Sequence, residues 1–162
     1  MELVKGDLLE ADLDYYCHQV NCQGRMGSGI AKSIKERWPI VYDRYIEMYS
    51  YALEKSNSNS SPYNPAYYLL GKVDAIHIGE HKRVINMFAQ EYYGYDGKRY
   101  TSYDAFWSCL YEIRGIVPKG SKIGFPKGIG CGLGGANWQV IETMICEMLD
   151  DDYKVYIYEL EK

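Results

Sequence analysis

The chain has 162 residues, of which 47% are hydrophobic and 25% charged, and its net charge is −4. That size and composition suit a single domain over residues 1–162 and exclude a disordered or fibrous chain. With no Lys/Arg run longer than two residues and no apolar run near the ~20 residues of a membrane span, the sequence carries no strong nucleic-acid signature and predicts no membrane partner.

Glu2–Val4 and Tyr15–Val20 read as strands, the first ending at Gly6-Asp7 and the second at Asn21. Met1–Asp7 lacks a basic segment followed by an apolar one, so no signal peptide is expected. Ile30, Ile34 and Trp38 sit at helical spacing and predict a helix from Gly29 to about Arg37. Pro39 ends it and opens a second amphipathic stretch carrying Val41, Tyr45, Met48, Tyr49 and Ala52. A Ser/Asn/Pro-rich stretch near 55–66 reads as a mobile polar loop within the domain.

Lys72–Ile78 and Arg83–Met87 read as a hairpin turning at Gly79-Glu80, followed by a tyrosine-rich polar loop from Phe88 to Thr101. Ser102 opens a helix reaching about Val117, and Lys122–Phe125 is a strand. Asn137 is a good N-cap for a helix carrying Trp138, Ile141, Met144, Ile145, Met148 and Leu149. Lys154–Leu160 closes the chain as a Val/Tyr-rich strand. The alternation predicts an α/β fold with a mixed, largely parallel sheet and helices on both faces. Ligands of such folds sit beyond the carboxyl ends of the strands.

Two glycine-rich stretches fall at such ends. One is Val20 to Ala31, with Gly24, Gly27 and Gly29; the other is Phe125 to Trp138, with Gly128, Gly130, Gly132, Gly134 and Gly135. Each joins a strand to a helix, where glycine lets backbone approach a ligand and free N–H groups meet an anion. Together they suggest a clamp for a diphosphate. Neither matches the P-loop or dinucleotide-binding spacing.

With Asn21 and the second loop included, the chain resembles the macrodomain family of ADP-ribose-binding modules. The resemblance spans nearly the whole chain and rests on Val4–Leu8, on Val20-Asn21 with Gly27–Ala31, on Ile129–Leu133 and on Tyr156–Leu160. It implies a three-layer α/β/α fold, and ADP-ribose or ADP-ribose 1''-phosphate as the ligand, with no cofactor. By the same resemblance Asp7, followed by Leu8, accepts from the adenine amino group, and Asn21 contacts the distal ribose. Gly27, Ser28, Gly29 and Ile30 border the distal ribose and diphosphate. Gly130, Cys131, Gly132 and Leu133 supply N–H groups to the phosphates, and Tyr158 and Leu160 wall the adenine.

The chain is most similar to the branch holding the fungal-type ADP-ribose 1''-phosphate phosphatase and the human-type and toxin–antitoxin glycohydrolases. The glycohydrolases of that branch use a lysine and an aspartate where this chain has Gln90 and Gly134, which disfavours their lysine-adduct chemistry. The phosphatase pattern matches better, at His18-Gln19-Val20-Asn21-Cys22-Gln23-Gly24. Histidine exchanges protons near neutral pH, so His18 and Asn21 are the candidate catalytic pair. The expected function is binding of ADP-ribose or a derivative, with hydrolysis of ADP-ribose 1''-phosphate. The alternative is a reader that binds without chemistry.

Read without the resemblance, His18 fits a packed, hydrogen-bonded strand histidine better than a catalyst, and Asp7 fits a turn or cap residue as well as a ligand contact. Cys131 is either a nucleophile or the small residue that lets backbone approach phosphate, the latter being favoured. The five cysteines lack CxxC spacing, and His77 and His81 make no metal pair, so no metal site is expected. The expected compartment is reducing and cytoplasmic. Tyr92, Tyr93, Tyr95, Tyr100 and Tyr103 span a loop that topology brings near the distal ribose. Its Asp96, Lys98 and Arg99 read as a solvated tip.

Overall fold

The computed structural model describes residues 1–58, 61, 63–92, 94 and 96–161. In chain order the elements are β1 (Glu2–Lys5), β2 (Tyr15–Asn21), α1 (Gly29–Arg37), α2 (Pro39–Ser56), α3 (Pro65–Leu69), β3 (Val73–Gly79), β4 (Lys82–Gln90), α4 (Tyr103–Ile116), β5 (Lys122–Pro126), α5 (Trp138–Leu149) and β6 (Lys154–Glu159). The strands form one six-stranded sheet in the order β1-β6-β5-β2-β4-β3. Every pairing is parallel except the β3–β4 hairpin. The expected α/β architecture is therefore the observed one.

Residues alternate across the central strands and split the core into two layers. Cys17, Ile85, Met87 and Ala89 pack with Phe106, Leu110, Ile141 and Ile145 of α4 and α5. Tyr16, Val20, Val84 and Phe88 pack with Ile34, Val41, Tyr45 and Leu69 of α1, α2 and α3. Full burial of each Val, Leu, Ile, Phe or Met among them contributes roughly 1.5–3 kcal/mol. The sheet is thus covered on both faces, as parallel strands require.

Four elements differ from the sequence reading. The helix opened by Pro39 runs on to Ser56, and Pro65 opens α3 behind an Asn64 side chain that accepts from the Ala66 N–H. The polar stretch near 55–66 is thus partly helical at both ends, and Asn59, Ser60 and Pro62 lie outside the described residues. The second strand of the hairpin continues through Gln90 because Phe88 pairs with Val20 and Gln90 with Asn21. A 3₁₀ turn, Leu8–Glu10, follows β1, its Leu9 N–H bonded to the Asp7 carboxylate at 2.9 Å.

The strand that matters most for the site is β2. It stays paired with β4 to its end. Its pairing with β5 is limited to Tyr15–Ile123 and Tyr16–Gly124. β5 meanwhile follows β6 as far as Pro126–Tyr158. Past Tyr16 and Gly124 no ladder joins the two middle strands, and their carboxyl ends stand apart. The chain leaves β2 for the α1–α3 layer and reaches β5 from the α4 layer. That divergence is where a ligand crevice forms in an open α/β sheet.

Candidate functional site

A cleft of about 720 Å³ occupies this gap. One wall is the loop from β2 to α1, with Asn21, Arg25, Met26, Gly27, Ser28, Gly29, Ile30 and Ala31. The other is the loop after β5, with Pro126, Lys127, Gly128, Ile129, Gly130, Gly132, Leu133 and Gly134. Gln19, Val20 and Gln90 lie between them.

The first wall is held by Asn21 and Tyr45. The Asn21 Oδ1 accepts from the Gln23 N–H at 2.9 Å and from the Tyr45 hydroxyl at 2.7 Å. Its Nδ2 donates to the Arg25 carbonyl at 3.0 Å. The Tyr45 oxygen in turn accepts from the Arg25 N–H at 3.0 Å. Burial pushes the Tyr45 hydroxyl up, so it stays protonated and able to donate. Asn21 is therefore wired into its own loop, with one Nδ2 hydrogen left for a ligand. Ser28 precedes α1 without making a side-chain cap bond. The first-turn N–H groups, which no helix satisfies internally, meet the cleft at its positive dipole end.

The second wall is a chain of tight turns. Cys131 donates its N–H to the Gly128 carbonyl at 2.8 Å, Ala136 to Gly130 at 2.9 Å and Gly135 to Gly132 at 3.1 Å. Among the described residues the N–H groups of Gly128, Gly130, Gly132, Leu133 and Gly134 have no internal acceptor. Gly130 has φ +78°, a conformation that a side chain would strain. Gly134 is fixed by closeness instead. A Cβ there would lie 2.3 Å from the Thr101 Oγ1 and 2.5 Å from the Gly130 carbonyl oxygen.

Beneath both walls lies a neutral floor. The Gln19 Nε2 donates to the Gln90 Oε1 at 2.9 Å and to the Thr101 Oγ1 at 2.8 Å. Among the described residues no carboxylate, histidine or cysteine lines the cleft, and the titratable groups lining it are Arg25 and Lys127. The Lys127 ammonium stands 3.3 Å from Glu159 at the rim. In a chain of net charge −4 the cleft is locally suited to an anion. Among the described residues no three His, Cys, Asp or Glu side chains come together to hold a metal.

The structure corrects the catalytic assignment of His18. Strand alternation turns it away from Gln19, toward the α1–α3 layer. It is completely buried there, against Asn86 of β4, to whose Oδ1 its Nε2 donates. Burial pushes its pKa down to about 4, so it is neutral and has no path to the cleft. Two further residues are corrected. Leu8 is a core residue, 3% exposed, whose Cδ1 packs over the Cα of Gly124. Cys131 has its N–H committed to Gly128 and does not line the cleft.

Asp7, Tyr158 and Leu160 also lie outside the cleft lining, at the carboxyl ends of β1 and β6. The Lys127 N–H bonds the Tyr158 carbonyl at 2.8 Å, so this edge continues the second wall. In the tyrosine-rich segment, Tyr100 donates to the Asp96 carboxylate and Tyr103 accepts from the Asn137 N–H. Tyr93 and Tyr95 lie outside the described residues. Asp96, Lys98 and Arg99 are exposed. Sequence reasoning missed Gln19, Arg25, Tyr45, Thr101 and Lys127. Arg25 and Lys127 were legible as cations inside the glycine stretches, whereas Tyr45 and Thr101 reach the site only through tertiary contacts.

No protein-family model matches the chain. Over its whole length it is 27% identical to a DNA ADP-ribosyl transferase–DNA ADP-ribosyl glycohydrolase fusion protein of Thermosipho africanus, of which it spans 42%. Among solved structures it superposes on the macrodomain of Mycobacterium tuberculosis DarG with TM-score 0.71 and 23% identity, covering 97% of this chain and 95% of that one. The structure of Thermosipho africanus DarTG in complex with ADP-ribose gives TM-score 0.71 and 21% identity, over 98% of this chain and 41% of the other. The chain has the macrodomain fold.

Three outcomes follow from these contacts. The enclosed His18 makes the protein acid-sensitive. Its folded pKa lies below the usual 6.5, so the unfolded chain binds the extra proton and stability falls as pH drops from about 6.5 to about 4. Urea titrations should show a loss on the order of 3 kcal/mol over that window, reduced in His18→Leu. Tyr45→Phe leaves the Arg25 N–H without its acceptor and should lower unfolding free energy by about 1–2 kcal/mol. Gly134→Ala forces the second loop apart and should cost about 1–3 kcal/mol in thermal unfolding.

Proposed function

We propose that the cleft binds ADP-ribose or a derivative of it, with the diphosphate between the Gly27–Ala31 and Gly128–Gly134 loops. The observation that carries this reading is the pairing of two sets of uncommitted main-chain N–H groups across a cleft that no carboxylate lines among the described residues. The distal ribose then lies toward Asn21 and Gln90, at the β4 side. The adenine lies along the β6 side, toward Asp7, Tyr158 and Leu160. The macrodomain fold supports ADP-ribose as the ligand, as does the solved ADP-ribose complex of a protein with the same fold.

A second reading adds hydrolysis at the distal end, with ADP-ribose 1''-phosphate as substrate. A hydrolytic step of some kind is supported by the whole-chain likeness to a protein named in part as a DNA ADP-ribosyl glycohydrolase, whose name speaks of a different bond. The particular bond follows from what the cleft lacks. With Gln90 and Gly134 at the distal end and His18 enclosed, the described lining residues offer no carboxylate or imidazole to shuttle a proton. A phosphate monoester brings its own acceptor oxygens. Water adds to phosphorus, the bond from phosphorus to the ribose oxygen breaks, and the water's proton ends on that oxygen. The loop N–H groups stabilise the phosphoryl charge, and Asn21 orients the ribose.

Thermal unfolding with ADP-ribose tests the binding. At a hundredfold excess over Kd, linkage gives about 2.7 kcal/mol, on the order of 5–10 °C for a domain of this size. No shift at millimolar ADP-ribose overturns the reading. Phosphate release from ADP-ribose 1''-phosphate then separates hydrolysis from binding alone. Loss of label from ADP-ribosylated DNA, without phosphatase activity, would assign the glycohydrolase chemistry instead.

A further inference from the structure

The floor of the cleft carries a hydrogen-bond chain with only one consistent polarity. The Gln90 Nε2 donates to the Tyr92 carbonyl at 2.7 Å, which leaves the Gln90 Oε1 facing Gln19 as an acceptor. Gln19 must therefore present its Nε2, and it spends one hydrogen on Gln90 and the other on the Thr101 Oγ1. With its oxygen accepting, Thr101 turns its own hydrogen to the Gly130 carbonyl at 2.8 Å. The Thr101 N–H meanwhile donates to the Gly134 carbonyl at 2.8 Å. One residue, 2% exposed, thus grips both ends of the Gly130–Gly134 turn.

We propose that Thr101, oriented by Gln19 and Gln90, is a positioning residue for anion binding by the second glycine loop. This rests on the ADP-ribose reading of the cleft. The Gly130 and Gly134 carbonyls are held against the floor by Thr101. A peptide plane whose carbonyl is held fixes the N–H on its far side. Fixing these two planes aims the N–H groups of Cys131 and Gly135 into the turn, where they are bonded to Gly128 and Gly132. The N–H groups of Gly132, Leu133 and Gly134 between them are left for a ligand. The Thr101 side chain never needs to touch that ligand.

The test compares Thr101→Val, which keeps the shape and loses the hydroxyl, with Thr101→Ser, which keeps the hydroxyl. In titration calorimetry with ADP-ribose, Thr101→Val should bind about tenfold more weakly, the size of one hydrogen bond left unsatisfied. Thr101→Ser should stay within about twofold of the parent. In the ligand-free protein the amide resonances of Gly130, Gly132 and Gly134 should move or broaden in Thr101→Val and return in Thr101→Ser. Should Thr101→Val fail to fold, Gln19→Leu removes the donor that orients the hydroxyl and reads the same resonances. Valine and parent alike in the loop resonances, or serine as impaired as valine, overturns the proposal. A parent protein that binds no ADP-ribose sinks the functional reading, while the ligand-free resonances still decide the role of Thr101.

Discussion

The site depends on a group of main-chain N–H donors held without internal acceptors. Such donors are costly inside a fold, because a buried N–H without a partner loses its hydration and gains nothing. They persist here because β2 and β5 share only a short ladder and then part, leaving the donors at an open cleft rather than under packed side chains. The rest of the architecture keeps that gap from closing. β2 is tied to β4 along its full length, and β5 to β6. Each loop is braced from outside the gap, the first by Tyr45 and the second by Thr101.

The two braces differ in kind. Tyr45 comes from the middle of α2, is fully buried, and meets main chain and side chain of the first loop at one oxygen. A single rigid ring thus sets the direction of the Asn21 amide. Thr101 stands just ahead of α4 and is itself oriented by two glutamines, so the second loop is set by a relay rather than by one contact. Both devices are uncharged. An anion arriving between the loops meets fixed dipoles that do not need to reorganise, which is how such sites bind charge with little help from lysine.

Much of this was legible in the sequence. Alternating apolar runs gave the sheet and its covering helices, and the glycine stretches after Val20 and Phe125 marked the two walls. What escaped was governed by partners far along the chain. The strand holding Asn86 extends to Gln90 because β2 covers it, and a continuous apolar run has no period to show where it stops. His18 looked available because a strand sequence does not say which face is enclosed. Its neighbour Gln19, one residue on, faces the cleft instead. Tyr45 and Thr101 lie 24 and 80 residues from Asn21, among 18 tyrosines and ordinary helix-start polar residues that gave no reason to choose them.

The geometry at Gly134 limits what chemistry this floor can host. The first carbon of any side chain there would occupy the space of the Thr101 hydroxyl. A side chain at 134 and the relay through Thr101 are therefore mutually exclusive, so introducing an aspartate means giving up the brace on Gly130. Gln90 is equally committed, with its oxygen accepting from Gln19 and its amide donating to Tyr92. A lysine at 90 could not serve as that acceptor, and Gln19 would lose the partner that sets its orientation. The glutamines, the threonine and the glycine thus form one interdependent set, and each makes sense only with the others. A floor built this way holds a loop in place at the expense of groups that exchange protons, which is why the proposed chemistry draws its acceptor from the substrate.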